Sequence, residues 1–412
     1  MSILPHRISD AAFSALASGG GGAAAIEELR SAQFSRHLML LRGVVESFPE
    51  VKVAEEAFAV LADLQRGAGG AVETVLRYPA VGAWAAQCLR GAADPARLAA
   101  VALAAAHLAG RECHLPVTSR NGWMTLPSVG GFPATGAFDL SVGPGGVRAD
   151  GRPVEGWRPL ARITAGGYTV TLDDLDPHRW SDGVDLPRLD APERDDWQSR
   201  LREAWDVLAE RHWTVRDEVA TAVSVLTPIG APAERPRSES SREAFGAIAL
   251  SAPSDGVSLA ETFAHETQHV KLYALMDVVP LTLPDTGDLY YAPWRPDPRP
   301  ARGLLNGAYA YLGVTGFWRR ERAAGHPRAE YEFAQWREAA YEATQALLAG
   351  RGLTAEGVRF TENMARTLGT WVGEPVGAEV LDEARRAQSA RRRAWEERNE
   401  MSSRAAEDRS PY

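Results

Sequence analysis

The stretch Ser258–Asp277, SLAETFAHETQHVKLYALMD, decides how the rest of the chain is read. It holds His265-Glu266-Thr267-Gln268-His269, the H-E-x-x-H pattern, in a run where Leu259, Phe263, Val270 and Leu272 supply apolar surface. Residues four apart share one face of an α-helix, so the two imidazoles project side by side, about one turn apart. That spacing lets two nitrogens hold one divalent ion. Glu266 sits beside them, within reach of a bound water or of a ligand it could orient. The pattern predicts a helix capped at Ser258, with Glu261 at the capping-box distance, and stopped by Pro280. The competing interpretation is a polar helix face whose two histidines are satisfied by hydrogen bonds.

The composition limits the partners. The 412 residues suffice for two or three packed units, and 45% hydrophobic content is that of a globular protein. The 45 basic and 54 acidic residues leave a net charge of −9, which argues against nucleic acid as the main partner. Cys88 and Cys113 are too few for a disulfide framework or a thiolate zinc site, and are expected to be packing residues. No charged segment followed by an apolar core opens the sequence, and its longest apolar run, Leu98–Gly110, is too short to span a bilayer. The expected location is cytoplasmic, with no membrane partner. No oligomeric state follows from the sequence.

The expected fold class is α+β. Residues 1–115 form a helical N-terminal region, with a short helix capped at Ile8-Ser9-Asp10 and then Ala23–Val45, Val51–Leu64, Val72–Leu89 and Pro95–Ala109. The Gly19–Gly22 run between the first two is expected to be a flexible turn, since it lacks the Lys-Ser/Thr of a phosphate loop. His37 is expected at the surface or hydrogen-bonded. Residues 116–190 form a small β-rich middle with strands Trp123–Leu126, Ala137–Val142 and Tyr168–Leu172; Asp173, Asp174 and Asp176 follow as turn and cap residues. Residues 191–378 form the metal-site α+β domain: helix Arg194–Val219, strands Ala222–Leu226 and Gly246–Leu250, the motif helix, and helices Arg302–Arg322, Tyr331–Leu348 and Thr354–Trp371. A strand running into an H-E-x-x-H helix is a zincin-like arrangement, in which an edge strand lines the cleft and an extended peptide can pair with it. Residues 379–412 form a charged helix and tail. Its Arg385-Arg386 and Arg391-Arg392-Arg393 clusters are interleaved with acids, so a solvated face is expected, with docking of a leader peptide as the alternative.

Two histidines need a third ligand, commonly a carboxylate. The connection Pro280–Pro300 carries Asp285, Asp288, Tyr290, Tyr291, Trp294, Arg295, Asp297 and Arg299, too many functional side chains for a turn. Glu261, Asp288, Asn306 and Tyr309 are candidates; Asp297 is favoured as the metal ligand beside His265 and His269, its alternative being an ion pair with Arg295 and Arg299. Two chemistries follow. With zinc, Glu266 takes a proton from bound water and the chain is a peptidase. With iron, two histidines and a carboxylate form a facial triad, and Arg295, Arg299 or Arg302 clamps the carboxylate of 2-oxoglutarate. The residue chemistry leaves both open.

The motif at 265–269, the block Tyr291–Pro300 (YAPWRPDPRP) and Gly303–Ala310 (GLLNGAYA) together resemble H-E-x-x-H proteins found with bacterial peptide natural-product clusters. Leu172–Pro177 (LDDLDP) and Ser31–Arg36 (SAQFSR) share the likeness, which covers most of the chain. The resemblance implies an Fe(II)- and 2-oxoglutarate-dependent enzyme that hydroxylates Cβ of a residue in a ribosomally synthesised precursor peptide. It implies that His265 and His269 bind iron, that the Arg295/Asp297/Arg299 block belongs to the site, and that Glu266 orients a ligand. A zinc peptidase that trims a peptide, and a peptide-binding scaffold without activity, are the alternatives.

Overall fold

A run apolar on every side must be enclosed, and Leu98–Leu108 (LAAVALAAAHL) is such a run. In the computed structural model, which describes residues 6–180, 188–231, 235–284 and 287–407, it is a helix buried from Leu98 to Ala106. The described chain is mixed α+β. Its helices are α1 (Asp10–Ala17), α2 (Gly22–Ser47), α3 (Lys52–Leu76), α4 (Pro79–Leu89), α5 (Leu98–Leu108), α6 (Ala191–Arg211), α7 (Trp213–Ala222), α8 (Gly256–Met276), α9 (Ala301–Ala323), α10 (Ala329–Ala349), α11 (Ala355–Val372) and α12 (Ala378–Glu407). No described helix is long and apolar enough to cross a membrane.

Two compact units form, and neither follows the order of the chain. The first takes Met1–Leu29, Asp206–Val219 and Ala260–Tyr412; the second takes Arg30–Trp205 and Ala220–Leu259. The regions expected at 1–115, 116–190, 191–378 and 379–412 are thus consecutive stretches, whereas each unit draws on distant ones.

In the second unit α5 packs against α3 and against small antiparallel strands. Those strands are β1 (Cys113–Thr118), β2 (Trp123–Leu126), β3 (Gly130–Pro133), β4 (Ala137–Gly143), β5 (Gly146–Ala149), β6 (Arg152–Pro153) and β7 (Arg158–Pro159), ordered β1-β4-β5-β6 and β2-β3-β7. A mixed five-stranded sheet adds β8 (Ala161–Ala165), β9 (Tyr168–Leu172), β10 (Val225–Pro228), β11 (Ser238–Glu239) and β12 (Ala247–Leu250), ordered β11-β12-β10-β9-β8. The strand that leads into the H-E-x-x-H helix, β12, is therefore no edge: β10 pairs with it in parallel and β11 antiparallel, and all four of its residues are buried. On the β11 side Ala249 and Leu250 are already paired, so half of that ladder is closed to a peptide.

Local sequence explains most helix ends and misses some. Ser9 caps α1 by accepting from the Ala12 amide, and Thr354 caps α11 by accepting from the Gly357 amide. The expected break between Val51–Leu64 and Val72–Leu89 falls elsewhere: α3 runs through a kink at Ala68, and the chain breaks at Tyr78 because Pro79 opens α4. The expected helix Arg194–Val219 is cut at His212, whose buried ring stacks 4.4 Å from Phe317 with Nε2 2.7 Å from the Glu321 carboxylate. The motif helix begins before Ser258: Asp255 is its cap, accepting from the Ser258 amide at 2.7 Å.

Asp173 and Asp176 do cap turns, as expected, whereas Asp174 accepts from the distant Leu189 amide at 2.8 Å and pairs with Arg188 at 3.3 Å. Asp173 accepts from the amides of Leu175 and Asp176 and from the Tyr78 hydroxyl at 2.6 Å, while Asp176 pairs with Arg97 at 2.7 Å. Both cysteines are unpaired, and burial raises their thiols, that of Cys88 to about 12, so neither is a thiolate at neutral pH.

His37 is buried, its Nδ1 2.7 Å from the Leu76 carbonyl. A Cβ at Gly82 would overlap its ring. Burial lowers the imidazole to about 4, reinforced by the nearby Arg36 and Arg77 and opposed by the Leu76 bond. The unfolded chain takes up a proton there as pH falls below about 6.5 while the folded chain does not until about 4, so stability is full above that window and lost within it. The loss is on the order of 3 kcal/mol. Urea denaturation between pH 7 and 4 should show a steeper decline for the native chain than for His37→Asn; equal slopes would contradict it.

Candidate metal centre

The motif residues all lie in the first unit. Helix α8 turns its faces to different tasks. Thr267, Gln268 and Lys271 are buried, and Gln268 Nε2 donates to the Gly19 carbonyl at 3.0 Å. Lys271 Nζ donates to Glu218 at 2.7 Å and to the carbonyls of Gly19 and Gly20 at 3.2 and 3.3 Å. The glycine run is therefore no loose turn: it is pinned to the underside of the motif helix. Glu261, named as a capping-box partner and a ligand candidate, accepts from the Trp318 indole at 2.8 Å.

On the opposite side His265 and His269 are only partly buried and point at one another. Their Nε2 atoms are 3.0 Å apart, with ring centroids 4.8 Å apart at 68°. Two nitrogens each about 2.1 Å from a shared ion lie roughly 3.0 Å apart at a right angle and roughly 3.4 Å apart at the tetrahedral angle. The observed spacing is the former. The Glu266 carboxylate completes the group, 3.9 Å from His265 Nε2 and 1% exposed as a residue. Among the described residues these three are the one cluster of His, Cys, Asp and Glu whose ligand atoms all lie within 4.8 Å of one another.

The next shell fixes the tautomer. His269 Nδ1 is 3.0 Å from Asn306 Oδ1, and Asn306 Nδ2 donates to the Tyr273 hydroxyl at 2.9 Å. An amide whose nitrogen faces Tyr273 offers His269 only its oxygen, so Nδ1 carries the proton and Nε2 presents its lone pair. Burial, and then the neighbouring His269, lower His265 to about 4, with Glu266 opposing; its ring is neutral at physiological pH, as a ligand must be.

The carboxylate that the structure brings to the histidines is thus Glu266, and Asp297 is not among them. Asp297 instead accepts from Arg295 Nε at 2.9 Å and from Arg299 Nη1 at 3.0 Å, the ion pair weighed as its alternative. A side chain flanked by two arginines neutralises them first. Tyr309 points elsewhere, donating to the Leu16 carbonyl at 2.7 Å, and Asn306 acts through His269. Asp285 lies outside the described residues. Arg299 retains a buried Nε without a partner, and Arg302 is exposed. Burial raises the Tyr273 hydroxyl, opposed by the Asn306 bond, with Glu266 raising it further and Arg302 and Arg299 opposing.

Two tyrosines were missed. Tyr273 is the next residue in the i, i+4 series after His265 and His269, a signal present in the sequence. Tyr311 meets His265 edge-on at 5.6 Å and stacks 4.7 Å from Trp294, whose indole lies where a Cβ on Gly307 would be. Only the fold brings those rings together. Models of known protein families and a collection of curated proteins, when compared with the chain, give no match.

Proposed function

We propose that the chain is an Fe(II)- and 2-oxoglutarate-dependent peptide hydroxylase, built on a zincin-like motif helix and acting on Cβ of a precursor-peptide residue. The observation that carries the reading is the convergence of the two Nε2 atoms at 3.0 Å beside one carboxylate. The resemblance in the YAPWRPDPRP and GLLNGAYA blocks favours the same chemistry.

His265 and His269 would hold iron, with Glu266 beside them to orient a ligand. When bound, iron and 2-oxoglutarate supply the oxidation of a C–H bond by O2, yielding alcohol, succinate and CO2. The chain's own residues do the rest. Asn306 holds His269 in the ligating tautomer, and Tyr273 holds Asn306. Arg299 and Arg302 offer charge to the co-substrate carboxylate. Tyr311 covers one face of His265 and limits water beside it. Replacing Asn306 by alanine should weaken Fe(II) binding by about 10–100-fold, the usual cost of losing an outer partner; titration with Fe(II) under nitrogen checks it, and unchanged affinity would remove Asn306 from this role.

A second reading is favoured by one observation, the position of Glu266. With zinc the same residues make a peptidase in which Glu266 is the base. Adding Fe(II) and 2-oxoglutarate without oxygen should give a visible charge-transfer absorption, and air should then release succinate. Glu266→Gln should keep the absorption under the hydroxylase reading. Zinc-dependent peptide cleavage abolished by Glu266→Gln, with no such absorption, would establish the peptidase instead.

A further inference from the structure

Helix α12 does more than present charge to solvent. Arg391 and Trp395, one turn apart, line a groove of about 310 Å3 whose facing wall includes Trp294, Tyr311 and Trp336. Each of the two carries a buried donor with no acceptor, Nη1 of Arg391 and Nε1 of Trp395. A buried donor left unmet is destabilising, the more so on a charged group. Both are closed to water here, so an acceptor laid in the groove reaches them by a turn of each side chain. The guanidinium is already positioned: another of its nitrogens donates to the Gln335 side chain, and it lies 5.3 Å from the Trp336 ring.

The groove connects to the candidate centre through a single ring. Tyr311 lies 4.3 Å from Trp336 and 4.7 Å from Trp294 on one side and meets His265 on the other. We propose that this groove anchors an acidic segment of an extended peptide substrate, its carboxylate taken by Arg391 and the Trp395 N–H, and its apolar neighbours laid on Trp294 and Trp336. The proposal rests on the peptide-modifying reading of the His265/His269 centre and adds what that peptide must carry.

Charge selects the sign of the occupant. Arg391 and Arg398 line the groove beside Arg295, whose charge is shared with Asp297, and no Asp or Glu is among the described lining residues. Shape selects a chain over a small dicarboxylate. Ala394 and Arg398 on the α12 side are exposed, so the groove is open along the helix, whereas small-ligand sites enclose most of the ligand. Its volume is at the low end for such sites and suits one or two side chains of a longer partner.

The test uses the full-length, metal-free protein and two fluorescein-labelled peptides, Gly-Ser-Glu-Phe-Glu-Ser-Gly and the same sequence with Gln for Glu, read by anisotropy. The acidic peptide should bind at least about tenfold tighter, a ~1.4 kcal/mol preference. Arg391→Gln should erase that preference. Trp395→Phe, which keeps a ring but not the N–H, should weaken the acidic peptide several-fold. His265→Ala should change nothing. Equal affinity for the two peptides, binding of neither, a preference intact in Arg391→Gln, or displacement by millimolar glutarate would each overturn the proposal. Arg391-dependent binding without any charge-transfer absorption would sink the hydroxylase reading and leave the groove standing; absorption without peptide preference would do the reverse.

Discussion

His265→Ala and His269→Ala should each abolish tight divalent-metal binding while leaving the fold intact. The two imidazoles converge on one point and no third histidine or cysteine joins the cluster among the described residues, so the loss should exceed the roughly 10–100-fold that an outer partner is worth. Stability should hardly change, because the rings are partly open: the His265 side chain is 26% exposed, and the bonds lost are the 3.0 Å contact of the two Nε2 atoms and that of His269 to Asn306. Removing one ring also relieves the mutual effect that helps lower His265. Metal content by elemental analysis after dialysis, with circular dichroism as the control for folding, decides it. One equivalent of metal retained by either variant would show that the ion is held elsewhere.

Lys271→Met should do the opposite, costing stability first. Lys271 is 1% exposed and donates at 2.7 Å to Glu218, itself 2% exposed. Methionine keeps most of the stem and removes the charge, leaving a carboxylate buried beside Tyr309 with only the Gly22 amide, at 3.1 Å, still shown donating to it. Breaking such a pair costs about 3–5 kcal/mol, whereas neutralising both partners costs far less. The double variant Lys271→Met/Glu218→Gln should therefore recover much of the loss, glutamine still accepting from Gly22. Urea denaturation measures both; a single-variant cost below about 1 kcal/mol, or no recovery in the double, would show that the pair is solvated in solution.

Lysine 271 also shows where reading the sequence stopped. Apolar residues at helical spacing placed α1, α2, α5 and α9–α12 to within a few residues, and alternation placed β2, β4 and β9, because those patterns are completed within a few turns of chain. The metal motif is legible for the same reason: both histidines lie on one turn of one helix. What failed depended on distant partners. Nothing near Lys271 announces Glu218, and nothing near His212 announces the Glu321 and Phe317 that hold its ring at the break between α6 and α7. Asp297 is a local matter instead: Arg295 and Arg299, two residues away on either side, pair with it, the alternative the sequence itself offered. Arg385, Arg386, Arg392 and Arg393 are solvated as expected; Arg391 is half-buried, against tryptophans that come from 294 and 336.

The pinning of the motif helix by Gly19 and Gly20 bears on synthesis and on truncation. Gln268 and Lys271 reach back across 249 and 252 residues to Gly19, and Tyr309 reaches 293 residues back to Leu16. At about 5–20 residues per second, the opening segment waits on the order of ten seconds or more for the helix that will rest on it. It is synthesised before the helix and used late, so this unit closes by a long-range return of the chain, with apolar residues such as Phe13 and Leu16 uncovered meanwhile. Trimming those leading residues to simplify expression would remove the floor of the metal helix rather than a dispensable extension.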